Sequence, residues 1–331
     1  VPTIDQRPLG RSGIEVSALG LGCWAIGGPM QGADGAATSW GPVDDEESTK
    51  AIHRGLELGV TFFDTAASYG AGHSETLLGK ALGADRDRVV IATKFGWTFV
   101  EGVRRGTGMD TSPEHVRGSC EASLRRLATD RIDLLQLHIG ELGAEVDGPI
   151  AAELESLVDE GLIRAYGWST DDPACGERWA RRGTCSAIQH TMNVFQDAPE
   201  LVGLCERYGM ASINRSPLAA GFLSGKYRGE ARVGSEDWRS VQRDWSKFFT
   251  AEGEAEPEWI ARLDAIREIL TSDGRTPAQG AIAWLWGRSP NTIPIPGFKT
   301  VAQAEENVGA LEHGPLRPEQ LAEIGGLLDT A

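Results

Sequence analysis

The chain has 331 residues, 40 % of them hydrophobic and 24 % charged, with a formal net charge of −16. This is a globular composition, and its sign excludes general affinity for nucleic acid or anionic membranes, although a local basic pocket for a phosphate stays open. No apolar run reaches the length of a bilayer span, and the first residues, Val1 to Arg7, lack the basic and apolar regions of a signal peptide. The cysteines (Cys23, Cys120, Cys175, Cys185 and Cys205) are odd in number and show no CxxC spacing, so a reduced, cytoplasmic setting without a bound metal is expected.

Arg7 to Ser17 reads as two short strands around a glycine-containing turn, an N-terminal hairpin. Short apolar runs follow at Ala18–Leu21, Thr61–Asp64, Val89–Lys94, Leu134–His138, Ala165–Ser169, Ala187–Gln189, Ala211–Asn214 and Thr292–Ile295. Helical segments separate them. Asp44–Leu58 opens on acidic residues and stops at Gly59, and Ser74–Leu82 stops before Gly83. Ser112 as N-cap and Pro113 in the first turn open a helix to Leu127. Pro149–Glu160, Pro173–Arg182, Pro199–Tyr208, Glu258–Leu270, Pro277–Gly287, Val301–Ala310 and Pro318–Leu328 complete the set.

Strands that are apolar on both faces and alternate with helices imply a parallel sheet covered by helices. Count and length fit an α/β fold of the (β/α)8 TIM-barrel type, a single domain over residues 1–331. It would carry the N-terminal hairpin and long loops at its C-terminal face. An open doubly wound sheet is the alternative. Arg228–Pro257 breaks the alternation with Trp238, Trp245, Phe248 and Phe249 among many charges; it reads as a surface excursion or as a loop over a substrate.

Four polar residues stand at or just past the ends of the early strands: Asp64, Tyr69, Lys94 and His138. In a barrel they would meet at one mouth, where a tyrosine beside a lysine can protonate a carbonyl oxygen as a hydride arrives. Taken singly, such residues are commonly a helix cap, a packing tyrosine, a surface lysine and a core histidine; it is their joint placement that carries chemistry. Gly20-Leu21-Gly22-Cys23-Trp24-Ala25 matches a GxGxxA dinucleotide pattern, but no helix starts before about Asp44, as that fingerprint requires. Trp24 fits better as an aromatic wall of a barrel mouth.

Gly59–Tyr69, Ile91-Ala92-Thr93-Lys94, Asp133–His138, Gly167-Trp168-Ser169, Ser216-Pro217-Leu218 and Ile295-Pro296-Gly297 with Glu305-Glu306-Asn307 occur in one order along the chain. From about Arg7 to Ala310 the chain thereby resembles the aldo-keto reductase family. The stretch Ser216–Tyr227 is similar to the branch that includes potassium-channel β subunits and bacterial general-stress reductases and ketoreductases. The resemblance implies a (β/α)8 barrel that uses NADPH/NADP+ to reduce a small-molecule aldehyde or ketone. Tyr69 would be the general acid, with Lys94 lowering its pKa, Asp64 holding Lys94, and His138 orienting the carbonyl.

By the same resemblance Gly22, Cys23 and Trp24 would contact the cofactor, and Ser169 and Gln189 would bind the nicotinamide carboxamide, with Thr170 standing where the family often has Asn. Asn193 is a further candidate. Arg215 replaces an aromatic that stacks on the ring, and its charge would disfavour the oxidised, cationic form. Ser216, Leu218, Gly221 and Lys226 would hold the pyrophosphate; Gly297, Lys299 and Thr300 the ribose phosphate; Gln303, Glu306 and Asn307 the adenosine. Trp24 and Trp97, with Phe95, are candidate substrate-pocket residues, while Trp168 is expected in the core. The resemblance also admits a cofactor-bound regulatory or binding subunit with slow turnover. A metal-dependent barrel hydrolase is disfavoured by the scattered ligands. Substrate identity and oligomeric state are left open.

Overall fold

The computed structural model describes residues 5–229, 231–241 and 247–330. An antiparallel hairpin, β1 (Gln6–Pro8) and β2 (Glu15–Ser17), is followed by β3 (Leu21–Gly22), α1 (Asp45–Glu57), β4 (Phe62–Asp64), α2 (His73–Leu82) and β5 (Val90–Phe95). A second antiparallel pair, β6 (Trp97–Val100) and β7 (Arg105–Met109), precedes α3 (Pro113–Leu127), β8 (Ile132–Leu137), α4 (Asp147–Asp159) and β9 (Ile163–Ser169). Then come α5 (Pro173–Ala180), β10 (Cys185–Thr191), α6 (Pro199–Tyr208), β11 (Ala211–Arg215), α7 (Pro257–Leu270), α8 (Pro277–Arg288), β12 (Thr292–Pro294), α9 (Val301–Gly309) and α10 (Pro318–Thr330).

The eight parallel strands lie in the order β12-β11-β10-β9-β8-β5-β4-β3. The sheet closes on itself, because Gly20 N–H donates to Pro294 O and Gly22 N–H to Pro296 O, both at 3.0 Å. Gly22 makes that seam possible: a Cβ there would lie 2.7 Å from the Ile295 carbonyl oxygen. The expected (β/α)8 barrel is therefore the fold, and the doubly wound alternative falls. Helix starts follow the sequence signals: Asp44 accepts from the Glu46 and Glu47 amides, and Ser112 from that of His115.

Strand side chains alternate between two cores. One set fills the barrel bore: Phe62, Val90, Ala92, Leu134, Ala165, Ala187, Ala211, Ile213, Ile293 and Ile295, with Leu9, Ile14 and Val16 of the hairpin region packed against them. The other set, with Phe63, Ile91, Leu135, Trp168 and Ile188, packs outward on the helices. Trp168 lies in this core as expected.

Sequence reading missed β6 and β7, a hairpin inserted in the β5–α3 connection, because glycines and charges blur its alternation. Phe95 is buried in the outer core rather than lining the mouth: its odd position points it away from the bore. No helix among the described residues is long and apolar enough to cross a membrane.

Candidate active site

The bore becomes polar at its C-terminal end by simple continuation of the inward rows. Two residues beyond Phe62 stands Asp64; beyond Ala92, Lys94; beyond Leu134, Gln136 and then His138; beyond Ala165, Gly167 and then Ser169; beyond Ala187, Gln189; beyond Ile213, Arg215. Tyr69 enters from the turn after β4, where Tyr69 N–H donates to Ala66 O at 3.1 Å. Gly70 holds that turn with φ +63°, and a Cβ there would lie on the Gly27 carbonyl oxygen.

The four expected catalytic residues meet. Lys94 Nζ, almost wholly buried, donates to Asp64 Oδ1 at 2.5 Å, to Thr65 O at 2.7 Å and to the Tyr69 hydroxyl at 3.2 Å. The His138 ring stands edge-on to Tyr69, with centroids 5.8 Å apart. Its backbone N–H is tied to Phe95 O at 2.9 Å.

One electrostatic expectation is corrected. Burial pushes the Tyr69 phenol up and outweighs the pull of Lys94, so its pKa lies above the usual tyrosine value rather than below it. The Lys94 charge is shared with Asp64, whose own negative charge also raises the tyrosine. Burial opposes the charge on Lys94, but Asp64 and Tyr69 outweigh it and raise its pKa. His138 is held well below the usual histidine value by burial, then by Lys94 and Arg215. At neutral pH the site therefore offers a phenol, an ammonium and a neutral imidazole.

The residues expected around a cofactor line the same end of the barrel. Ser169 and Gln189 are buried at strand ends. Gln189 Nε2 donates to Asp64 Oδ2 at 2.7 Å. Thr170 is committed elsewhere: its hydroxyl donates to Gly140 O at 2.5 Å, and its N–H donates to Gln189 O. Asn193 Nδ2 donates to Ser216 O at 3.2 Å. Cys23 is buried, and its N–H joins Asp64 O at 2.7 Å, so its part is in the barrel end wall.

Arg215 is bound by two neighbours, donating to Asp171 Oδ2 at 2.6 Å and to Thr191 Oγ1 at 2.5 Å. Past it, Ser216, Ala219, Ala220 and Gly221 all have positive φ, a tight chain of turns beside the half-buried Leu218. Lys226 is exposed, with its ammonium 4.9 Å from the Tyr227 ring centroid.

At the seam, Gly297 is exposed and its carbonyl accepts from Asn307 Nδ2 at 3.2 Å. Thr300 caps α9 through the Gln303 N–H, and Gln303 Oε1 returns to Lys299 N–H at 2.8 Å. Glu306 is half-buried on the same helix. Lys299 Nζ is folded onto the Trp40 and Pro42 carbonyls at 2.7 and 2.9 Å, so a phosphate would have to share or displace those contacts.

An aromatic stack roofs the tyrosine. Trp24 lies stacked on Tyr69 at 6.0 Å and on Trp238 at 5.6 Å, with Trp40 edge-on to both tryptophans. The 228–257 connection thus reaches the mouth through Trp238, while Phe248 and Phe249 pack with Phe222 in a cluster of their own. Trp245 lies outside the described residues. Trp97, 42 % exposed on β6, stands on the hairpin wall.

Sequence reading also passed over Gln136, Asp171 and Arg239. Gln136 was findable, since it sits two residues beyond the bore residue Leu134 on a strand of known facing. Asp171 and Arg239 come from loops, which carry no such signal. Arg239 pairs with Asp237 at 2.6 Å and donates to Ala220 O at 2.9 Å, pinning the connection to the turn after Arg215.

A closed parallel barrel with a buried Asp–Lys pair reaching a tyrosine at its C-terminal mouth defines an oxidoreductase of the carbonyl-reducing kind. The family model described as Aldo/keto reductase family matches residues 18–329. A curated relative, probable aldo-keto reductase 1 of Glycine max, is 32 % identical over 314 residues, covering 93 % of this chain and 84 % of its own length. Among solved structures, aldo-keto reductase AKR11C1 from Bacillus halodurans in its holo form superposes with a TM-score of 0.78 at 27 % identity, over 99 % of this chain and 98 % of that one. The glycerol dehydrogenase AKR11B4 from Gluconobacter oxydans gives 0.81 at 26 %, over 98 % and 95 %. The chain belongs to the aldo-keto reductase family, whose members are NADP-dependent oxidoreductases acting on small carbonyl compounds.

Proposed function

We propose that this chain reduces an aldehyde or ketone to the alcohol with Tyr69 as the general acid. The observation that carries the reading is the reach of Lys94 Nζ to both Asp64 Oδ1 and the Tyr69 hydroxyl. When bound, NADPH supplies the hydride. Tyr69 gives its proton to the carbonyl oxygen, and Lys94 stabilises the phenolate left behind. Asp64 keeps the ammonium in place. Neutral His138 donates an N–H to the same oxygen and fixes the orientation of the carbonyl. Ser169 and Gln189 orient the nicotinamide; Ser216, Leu218, Gly221 and Lys226 take the pyrophosphate; and Gly297, Lys299, Thr300, Gln303, Glu306 and Asn307 take the adenosine end.

The aromatic roof of Trp24, Trp40 and Trp238 excludes water and favours a bulky or cyclic carbonyl. The test is loss of reduced-nicotinamide absorbance against aromatic aldehydes, quinones, keto-steroids and keto-sugars, with Tyr69→Phe as control. Turnover in the wild type that vanishes in Tyr69→Phe is expected. Undiminished turnover in the variant would remove the tyrosine from the acid role.

A further inference from the structure

Beneath Tyr69 the barrel floor is a closed ring of three side chains. Gln136 Nε2 donates to Asp64 Oδ2 at 3.2 Å, Gln189 Nε2 donates to the same oxygen at 2.7 Å, and Gln189 Nε2 also reaches Gln136 Oε1 at 3.4 Å. All three residues are buried. Asp64 Oδ1 is already taken by Lys94.

Ionised Asp64 accepts and cannot donate, so both amides must turn their NH2 groups toward it. Reversing Gln189 would bring its oxygen against the Asp64 carboxylate; reversing Gln136 would do the same and would face its NH2 with that of Gln189. The ring therefore has one consistent polarity, set by Asp64. Both hydrogens of Gln189 Nε2 are used inside it. Gln189 Oε1 takes no hydrogen bond among the described residues and is not fully enclosed, so it is left as the free acceptor at the polar end of the bore.

We propose that Gln136 is a positioning residue that locks the polarity of Gln189 to Asp64, so that Gln189 presents only an acceptor to the cofactor. A ligand at this point must bring an N–H. The inference rests on the reductase reading for the identity of that ligand, the carboxamide of the nicotinamide. It goes beyond that reading by linking the charge that holds Lys94 to the recognition of the amide. Without Gln136, Gln189 keeps one tie to Asp64 but loses its second, and it can rotate to offer either end.

The test compares binding of NADPH and of its 3-acetylpyridine analogue, in which a methyl group replaces the carboxamide NH2, by fluorescence titration. The wild type should prefer NADPH by about tenfold, the worth of one well-placed hydrogen bond. Gln136→Met should bring the preference close to one while the circular dichroism stays native. Gln136→Asn, still polar but too short to reach, should do the same and serves where the Met variant does not fold. Gln136→Glu, kept protonated beside Asp64, retains a donor and an acceptor and should keep the preference.

An unchanged preference in a folded Gln136→Met or Gln136→Asn protein overturns the positioning role and leaves the reductase reading intact. Equal affinity of the wild type for the two cofactors also overturns it. A wild type that binds neither overturns both readings.

Discussion

Arg215, at the end of β11, is clasped by Asp171 from the loop after β9, with its guanidinium 2.6 Å from the carboxylate. The field of Arg215 reaches the site, since it favours the phenolate of Tyr69 and disfavours the imidazolium of His138. Asp171 in turn is held below the usual carboxylate range: burial opposes this, but Arg215 and the Thr191 N–H outweigh it.

A cation in this place should favour the neutral, reduced nicotinamide over the oxidised, cationic one. Arg215→Tyr should narrow the affinity gap between NADPH and NADP+ by roughly threefold to tenfold. Asp171→Asn, which leaves the arginine uncompensated, should widen it. Titration of both cofactors against each variant checks the signs; an unchanged NADPH preference in Arg215→Tyr would count against a role for the charge.

The pH profile of carbonyl reduction should be flat through neutrality. Tyr69 keeps its proton because its pKa is raised, so the alkaline fall should begin above the usual tyrosine value of 10.0. His138 stays neutral because its pKa is lowered, so any acid limb of its titration should lie below 6.5. A profile that falls between pH ~7 and ~9 would contradict the assignment of the acid.

Trp238 over Trp24 makes part of the roof from a long connection. Trp238→Ala should weaken substrate binding and speed cofactor release, raising KM by roughly tenfold with a smaller effect on the hydride step in a single turnover. If cofactor release limits the wild type, multiple turnover in this variant should accelerate; this comparison also separates a rapid reductase from a slow, cofactor-retaining subunit.

Asp133 tests the barrel wall away from the chemistry. Wholly buried at the start of β8, it accepts from Arg86, Arg164 and the Ile91 N–H, each at 2.9 Å. Asp133→Ala removes the carboxylate facing the largely buried Arg86 and leaves the Ile91 amide without its acceptor, and should cost about 3 kcal/mol in denaturant unfolding. Folded protein below its Tm should keep its kcat, because Asp133 touches none of the site residues.

Local signals carried much of this protein. Apolar runs of strand length, Ser112 and Pro113 at a helix start, and polar residues at strand ends are written in neighbouring positions, so the eight barrel strands, the ten helices among the described residues and the four residues proposed for catalysis were legible. The same parity that buries Leu134 also places Gln136 inward.

What the sequence by itself determined was the order of the elements and the residue types delivered to the barrel mouth. The tertiary structure decided what those residues do to one another. Gln136 and Gln189 stand 53 positions apart, and Arg215 and Asp171 stand 44. No local pattern encodes such contacts; they exist once the sheet curls and brings the ends of separate strands to one mouth. The proton affinity of Tyr69 was decided in the same way: sequence supplies a lysine that lowers it, and only the folded site shows that burial of the phenol prevails.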